Sequence, residues 1–276
     1  MYARRVAVAV TLFASAITIN VSSAPAPASA HDAEHALSNA ITHNLCGGSK
    51  APCGNDGDLT PAQNLFQYVI NQSPTLPMSI ATQETCRDPY NFLKGWLAIS
   101  GYHAERTNDP IINSVCAQHG NAVFFTGGCY NNNCKLTDEF TNQDADGNRR
   151  WVCAIANAPR YATCSAHMST ESGIAFLQVG QYKQIADWFN TSPTIAAGDF
   201  NLHPQFVPAF YDSYWEADAD QLQVLPNRPT WRQWGGTATQ KIDYVFHDVY
   251  RFHTSRITDS PESDHHRVRA YLSFTP

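Results

Sequence analysis

The sequence offers little that would tie the protein to a membrane or to a nucleic-acid duplex through charge. After an apolar stretch at its start, no segment is long and apolar enough to span a bilayer. No amphipathic basic helix or exposed apolar hairpin suits a membrane surface, so stable membrane insertion is not expected. Basic residues are in deficit: 18 Lys and Arg stand against 24 Asp and Glu, a formal net charge of -6. That argues against tight, non-specific binding to a nucleic-acid duplex and leaves room for a local basic patch. There is no internal repeat, no low-complexity tract beyond the first residues, and no Pro/Gly-rich linker, which excludes solenoids and linked multidomain arrays. Paired C-x-x-C spacing is also missing, which argues against a structural zinc site among the eight cysteines.

What is present begins with an export signal. Met1-Tyr2-Ala3-Arg4-Arg5 is followed by an apolar run from Val6 to Ile19 and a small-residue stretch ending Pro27-Ala28-Ser29-Ala30. Basic start, apolar middle and small-residue cut site are the order of a secretory signal peptide. Cleavage after Ala30 leaves 31–276 as a single domain, secreted and acting as a monomer. Arg4 and Arg5 are the only charges of the leader, so the mature part is more acidic than the whole. All eight cysteines lie in that part, and an even number in an exported chain reads as disulfides. Cys46 with Cys53, and Cys129 with Cys134, are close enough in sequence to staple local loops. Spacing does not pair Cys86, Cys116, Cys153 and Cys164.

After a polar, loose start from His31 to Asn39, β-type runs alternate with helical ones. Met78 to Thr82, Ala122 to Phe125, Trp151 to Ala156, Tyr161 to His167, Thr194 to Ala197, Ile242 to Phe246 and Val268 to Phe274 read as strands. Ile174, Leu177, Tyr182, Ile185 and Phe189 recur at helical spacing behind Ser172 as N-cap. Strands and helices mixed in this way, with several adjacent strand pairs, favour a layered α/β sandwich over a purely parallel sheet.

Residues able to bind a metal or move protons stand at the ends of these strands. Asn44 follows Ile41, Glu84 follows Met78 to Thr82, and His167 ends its strand. Asp199 and Asn201 follow Thr194 to Ala197, Asp243 lies within Lys241 to Phe246, and Asp264-His265 precedes Val268. Strand ends are where such folds collect a site from distant sequence. Carboxylates and an amide without thiolates suit a hard cation, Mg²⁺ or Mn²⁺. The two histidines and the further aspartates exceed what a metal needs and suit proton transfer. A hard cation with His–Asp pairs is equipment for attacking a phosphate ester with water.

These residues stand in motifs that resemble the endonuclease/exonuclease/phosphatase superfamily, the group similar to deoxyribonuclease I. Thr42-His43-Asn44-Leu45, Ala81-Thr82-Gln83-Glu84, Gly120-Asn121-Ala122-Val123, Ser165-Ala166-His167-Met168-Ser169, Gly198-Asp199-Phe200-Asn201, Lys241-Ile242-Asp243-Tyr244-Val245-Phe246 and Ser263-Asp264-His265 follow that family's order. The resemblance implies a four-layer α/β/β/α sandwich. It implies Glu84 as principal metal ligand with Asn44 and Asp264 close to the ion, and His265, oriented by Asp243, as the base, with Asp199 as the alternative base. Asp199 and Asn201 would position water and phosphate, and His167 would stabilise the phosphate or assist the leaving group. Arg87 resembles a substrate-contacting arginine displaced by one position. Ala166 and Met168 depart from the family's Thr and Leu. The glutamate that partners the equivalent histidine in deoxyribonuclease I is not evident near Gly120 to Thr126, which implies a less basic His167.

Other features are weaker. Asn142-x-Asp144-x-Asp146-Gly147 imitates half a calcium loop, but Cys153 stands where the bidentate glutamate belongs, so it reads as a polar hairpin turn. His31, with Asp32, Glu34 and His35, reads as a solvated terminus rather than a copper site. Trp231 and Trp234 line the substrate rim or pack in a loop. The expected activity is hydrolysis of phosphodiesters, nuclease-like, on a phosphate-ester substrate such as nucleic acid or a phospholipid headgroup. A sphingomyelinase-like lipid phosphodiesterase and an inositol-phosphate phosphatase are the alternatives within the class. A secreted binding protein or toxin subunit on the same fold is the alternative outside it.

Overall fold

Period-two alternation builds two sheets with two apolar faces each. In the computed structural model, residues 37–45, 58–71, 76–107, 116, 119–132, 134–145, 149–189, 192–216, 228–233, 236–248 and 251–273 are described. The expected leader, the Cys46–Cys53 pair, His31 and Trp234 lie outside them. In chain order the elements are β1 (Leu37–Asn44), α1 (Thr60–Asn71), β2 (Ser79–Gln83), α2 (Arg87–Ala98), β3 (His103–Arg106), β4 (Ala122–Phe125), β5 (Lys135–Glu139), β6 (Arg150–Asn157), β7 (Arg160–His167), α3 (Ser172–Trp188), β8 (Thr194–Asp199), α4 (Pro208–Tyr211), β9 (Trp215–Glu216), β10 (Asp243–His247), β11 (Arg251–Thr258) and β12 (Arg267–Ser273). One sheet runs β11-β12-β1-β2-β4-β3 and the other β5-β6-β7-β8-β10-β9. β1 with β2, and β7 with β8, are parallel; the remaining ladders are antiparallel.

Three apolar layers separate the four structural ones. Ile41, Ile80, Phe124, Leu65, Leu93 and Leu97 join α1 and α2 to the first sheet. Ala40, Ala81, Val123, Ile195, Val245 and Val268 fill the space between the sheets. Ala162, Ala196, Tyr244 and Phe246 meet Val179, Tyr182 and Phe210 of α3 and α4 on the far face. Burying apolar area on both faces of both sheets is the main stabilising term for such a fold. The architecture is the expected α/β/β/α sandwich.

The same alternation points the polar strand ends inward. Along β7, Ala162, Cys164 and Ala166 face the outer helices, so Thr163, Ser165 and His167 face the other sheet. On β8, Ile195 and Ala197 face inward, and Asp199 follows them two residues on. β10 starts on Asp243, in phase with inward Val245. Polar ties cross between the sheets below this edge: Ser79 with Thr163 at 2.5 Å, and Gln83 Nε2 donating to Ser165 Oγ at 3.0 Å.

Several expectations are corrected by long-range pairing. Leu37 to Asn39, expected as loose, belong to β1, because Leu37 to Thr42 pair with β12 at the other end of the chain. Ser172 opens α3 as its first residue, and Glu171 occupies the cap without a side-chain bond. Ser169 accounts for that shift: its Oγ accepts from Glu171 N at 2.9 Å and its N–H donates to Gln178 Oε1 at 2.7 Å. Cys129–Cys134 forms as expected, and the pairs Cys86–Cys116 and Cys153–Cys164 join it. The latter bridges facing residues of β6 and β7.

Gly198 sets how closely β7 and β8 approach. It pairs with Ala166, has φ +156, and an added Cβ would stand 2.1 Å from the Ala166 carbonyl oxygen. Only glycine permits that approach one residue before Asp199. Gly198→Ala is expected to cost about 1–3 kcal/mol as the strands are forced apart. The urea midpoint measures this, and an unchanged midpoint would refute the packing account.

Candidate active site

Ladder register gathers the polar strand ends at one edge of the inter-sheet space. Asn44 pairs with Gln83, so β1 and β2 end level and deliver Asn44 and Glu84 together. In the second sheet Asp199 is paired on one side with His167 and on the other with Asp243. His265 enters from the turn before β12 through a bridge to Trp231. That turn is tied to β1, since Ser263 Oγ donates to the Asn44 carbonyl at 2.8 Å and accepts from His265 N at 3.0 Å.

Asp199 is the hub and is 1% exposed. Its Oδ1 accepts from Asn201 N at 2.9 Å. Its Oδ2 accepts from Asn44 Nδ2 at 3.0 Å and lies 3.4 Å from His167 Nε2 and 3.5 Å from His265 Nε2. Two imidazoles therefore aim at one carboxylate oxygen. Burial raises the Asp199 carboxyl against the lowering pull of His265. Asn201 reaches its place in a left-handed conformation, φ +50, and its Nδ2 donates to the Met168 carbonyl at 3.0 Å.

Asp243 holds His265. Its two oxygens lie 3.1 and 2.9 Å from Nδ1, which fixes the proton there and leaves Nε2 facing Asp199. Burial alone would lower this imidazole; the charges of Asp243 and Asp199 overcome it and push it up to about 10.

His167 goes the other way. Burial and the neighbouring Arg149 guanidinium hold it well below the usual imidazole range. Arg149 NH1 stands 3.4 Å from both ring nitrogens, and its Nε donates to Asp144 Oδ2 at 3.0 Å. A cation held by a buried aspartate stands beside His167, in keeping with the missing glutamate. Asp144, from the calcium-like segment, serves as its anchor.

Glu84 faces both sheets. Its Oε1 accepts from Asn44 Nδ2 at 3.2 Å and lies 3.9 Å from His167 Nε2, while its Oε2 lies 3.9 Å from His119 Nε2. Burial opposes its ionisation, yet the facing His119 and His167 keep its carboxyl well below the usual carboxylate range. Its φ of +49 is strained for a residue with a side chain. Asp264 is fixed through Oδ2 by Trp231 Nε1 at 3.1 Å, and its Oδ1 is buried without a hydrogen-bond partner. Burial and the Glu84 charge raise its carboxyl, against the pull of His265.

This donor set fits a divalent cation. The donor atoms of Asp199, Asp243 and His265 lie within 4.8 Å of one another. Asp243 and His265 Nδ1 already satisfy each other, however, so the oxygen that points to an ion is Asp264 Oδ1, which accepts no hydrogen bond. Asp264 Oδ1, a buried acceptor without a hydrogen bond that lies 3.8 Å from His265 Nε2, is what a cation would relieve.

Eight of the nine residues singled out in the sequence thus meet at one edge. The ninth, Arg87, opens α2 half exposed, with Nε donating to Asp88 at 3.2 Å. His119 and Arg149 were missed. His119 directly precedes the Gly120-Asn121-Ala122 motif, which was its one signal; Arg149 had none.

The fold has the architecture of solved endonuclease/exonuclease/phosphatase proteins. The human Nocturnin catalytic domain with bound sulfate superposes with a TM-score of 0.64 at 16% identity, covering 87% of this chain and 95% of that one. A Bacteroides thetaiotaomicron endonuclease/exonuclease/phosphatase family protein gives 0.63 at 14%, covering 88% and 100%. D. rerio TDP2 complexed with a single-strand DNA product gives 0.64 at 14%, covering 86% and 99%. No protein-family model matches the sequence, and no curated protein does.

The proton on His265 makes stability depend on pH. A group whose folded pKa lies above its unfolded one stabilises fully below the unfolded value, about 6.5 for histidine, and this is lost as pH rises through about 10. In chelator, the urea midpoint should fall between about pH 7 and pH 10. His265→Gln should flatten that fall; an equal fall in the variant would show that other groups carry it.

Proposed function

We propose that the protein is an exported, divalent-metal-dependent phosphoesterase that hydrolyses phosphodiester bonds in nuclease fashion. The observation that carries this reading is Asp199 Oδ2, met by two imidazoles and an amide beside two further carboxylates, one of them with a buried oxygen that accepts no hydrogen bond. Proton-handling groups and open hard-cation donors stand side by side, which is what water attack on a phosphate ester requires.

Glu84 and Asp264, with the Asn44 amide, would hold Mg²⁺ or Mn²⁺. Bound there, the cation neutralises charge on the phosphoryl oxygens. The Asp243 carboxylate keeps the His265 proton on Nδ1, so Nε2 is the atom that accepts a proton from water. Asp199 Oδ2 orients that water and takes up the proton if His265 is already charged, so the pair shares the base role. Asn201 and His167 hold the phosphate oxygens; His167, kept neutral by burial and Arg149, serves as a hydrogen-bond donor rather than a full acid. Arg149 adds a fixed positive charge on the same side, which a phosphate oxygen can use.

Neighbours of the same architecture include TDP2 complexed with a single-strand DNA product and a mannosyl-6-phosphatase from Bacteroides thetaiotaomicron. That range supports the class and leaves substrate choice to experiment. Export rests on the signal-like first thirty residues and agrees with three disulfides among the described residues. No helix among the described residues is long and apolar enough to cross a membrane.

The test is hydrolysis of plasmid DNA, RNA, sphingomyelin and a bis-aryl phosphate by the mature protein, with Mg²⁺ or Mn²⁺ and with chelator. Nucleic-acid cleavage that chelator abolishes is expected. Asp264→Ala and His265→Ala should each lower turnover about 10²–10⁴-fold with the fold intact. Two fully active, folded variants would overturn the site; metal-dependent cleavage of sphingomyelin alone would move the substrate to lipid.

A further inference from the structure

His119 is the imidazole that the phosphoesterase reading does not use. Its position is built rather than incidental. Gly120 and Thr85 exchange both backbone hydrogen bonds, Thr85 N to Gly120 O at 2.8 Å and Gly120 N to Thr85 O at 3.2 Å. Three residues before it, Cys116 is bonded to Cys86, two residues past Glu84. Backbone pairing and disulfide together deliver the ring to Glu84 Oε2, while His167 faces Oε1.

The ring faces Glu84 as an ion-pair partner, but its Nε2 is buried and makes no hydrogen bond among the described residues. Its separation from Glu84 Oε2, 3.9 Å, is too long for a hydrogen bond. Two donors that each stand about 2.1 Å from a shared ion are at most about 4.2 Å apart, so 3.9 Å is a span one metal ion can bridge. His167 Nε2 is equally far from Oε1, but it lies closer to Asp199 Oδ2. His119 Nε2 has no such alternative.

We propose that His119 is a ligand of the metal held by Glu84, which makes the centre a mixed nitrogen–oxygen site. This rests on the reading of Glu84 as a metal ligand. An imidazole donor favours a first-row transition ion over Mg²⁺, since Mg²⁺ takes oxygen ligands and imidazole suits the later ions. The site therefore selects Mn²⁺, Co²⁺ or Zn²⁺ over Mg²⁺.

Pulsed electron paramagnetic resonance of the Mn²⁺-loaded mature protein tests this directly, because an imidazole nitrogen bound to Mn²⁺ gives its own modulation. Nitrogen coupling in the native protein is expected, and its loss in His119→Ala. Titration should show Mn²⁺ affinity falling about tenfold or more in that variant, with Mg²⁺ affinity changed less than about twofold. His119→Gln, which keeps bulk and an oxygen donor, should also lose the nitrogen signal if His119→Ala folds poorly. Absence of nitrogen coupling in the native protein, or its full persistence in both variants, would overturn the proposal. Glu84→Gln separates the two claims: unchanged Mn²⁺ binding there would sink the Glu84 assignment itself, whereas lost binding there together with no nitrogen coupling in the Mn²⁺-loaded native protein would sink only His119.

Discussion

A buried carboxylate shared by two imidazoles is the constraint on which the rest of the site depends. Asp199 is removed from water, and an isolated charge there would be costly. Asn44, the Asn201 amide and the two histidines compensate it, and each arrives from a different part of the chain. β1 must lie beside β2, and β7 beside β8, in one register. Because side chains alternate, a slip of one residue would turn Asp199 or His167 toward the outer helices. The apolar sandwich thus fixes electrostatics: three greasy layers hold the strands so that their polar ends converge.

The two histidines show how environment divides labour between like groups. His265, between Asp243 and Asp199, is driven toward its charged form. His167, buried beside Arg149, is driven toward its neutral form. Pairs whose environments push their proton affinities apart mark acid–base assignments. The strained backbones of Glu84 and Asn201 belong to the same pattern, because left-handed residues with side chains persist only where the surroundings over-determine them.

Much of this was legible because strands in this fold are short, apolar and followed at once by chemistry. The runs before His167 and Asp199 carried both their secondary structure and the polar residue at their end. Helices α1 and α2 went unread, although Ala62, Leu65 and Val69 follow helical spacing. β1 was misjudged at its start because its antiparallel partner is the last strand; Asn39 Oδ1 accepts from Arg269 Nε, 230 positions away. Arg149 and His119 were invisible for a related reason. Their meaning comes from Asp144, His167 and Glu84, partners that only the folded register brings near.

The pairing of β1 with β12 also governs when the molecule becomes complete. The first strand has a free ladder edge until residues 267–273 exist, and Asp264 and His265 are made only just before them. A nascent chain therefore holds Asn44, Glu84, His167 and Asp199 without their last two companions. A chain that stops short of residue 265 cannot assemble the whole constellation, whatever else of the fold it has formed.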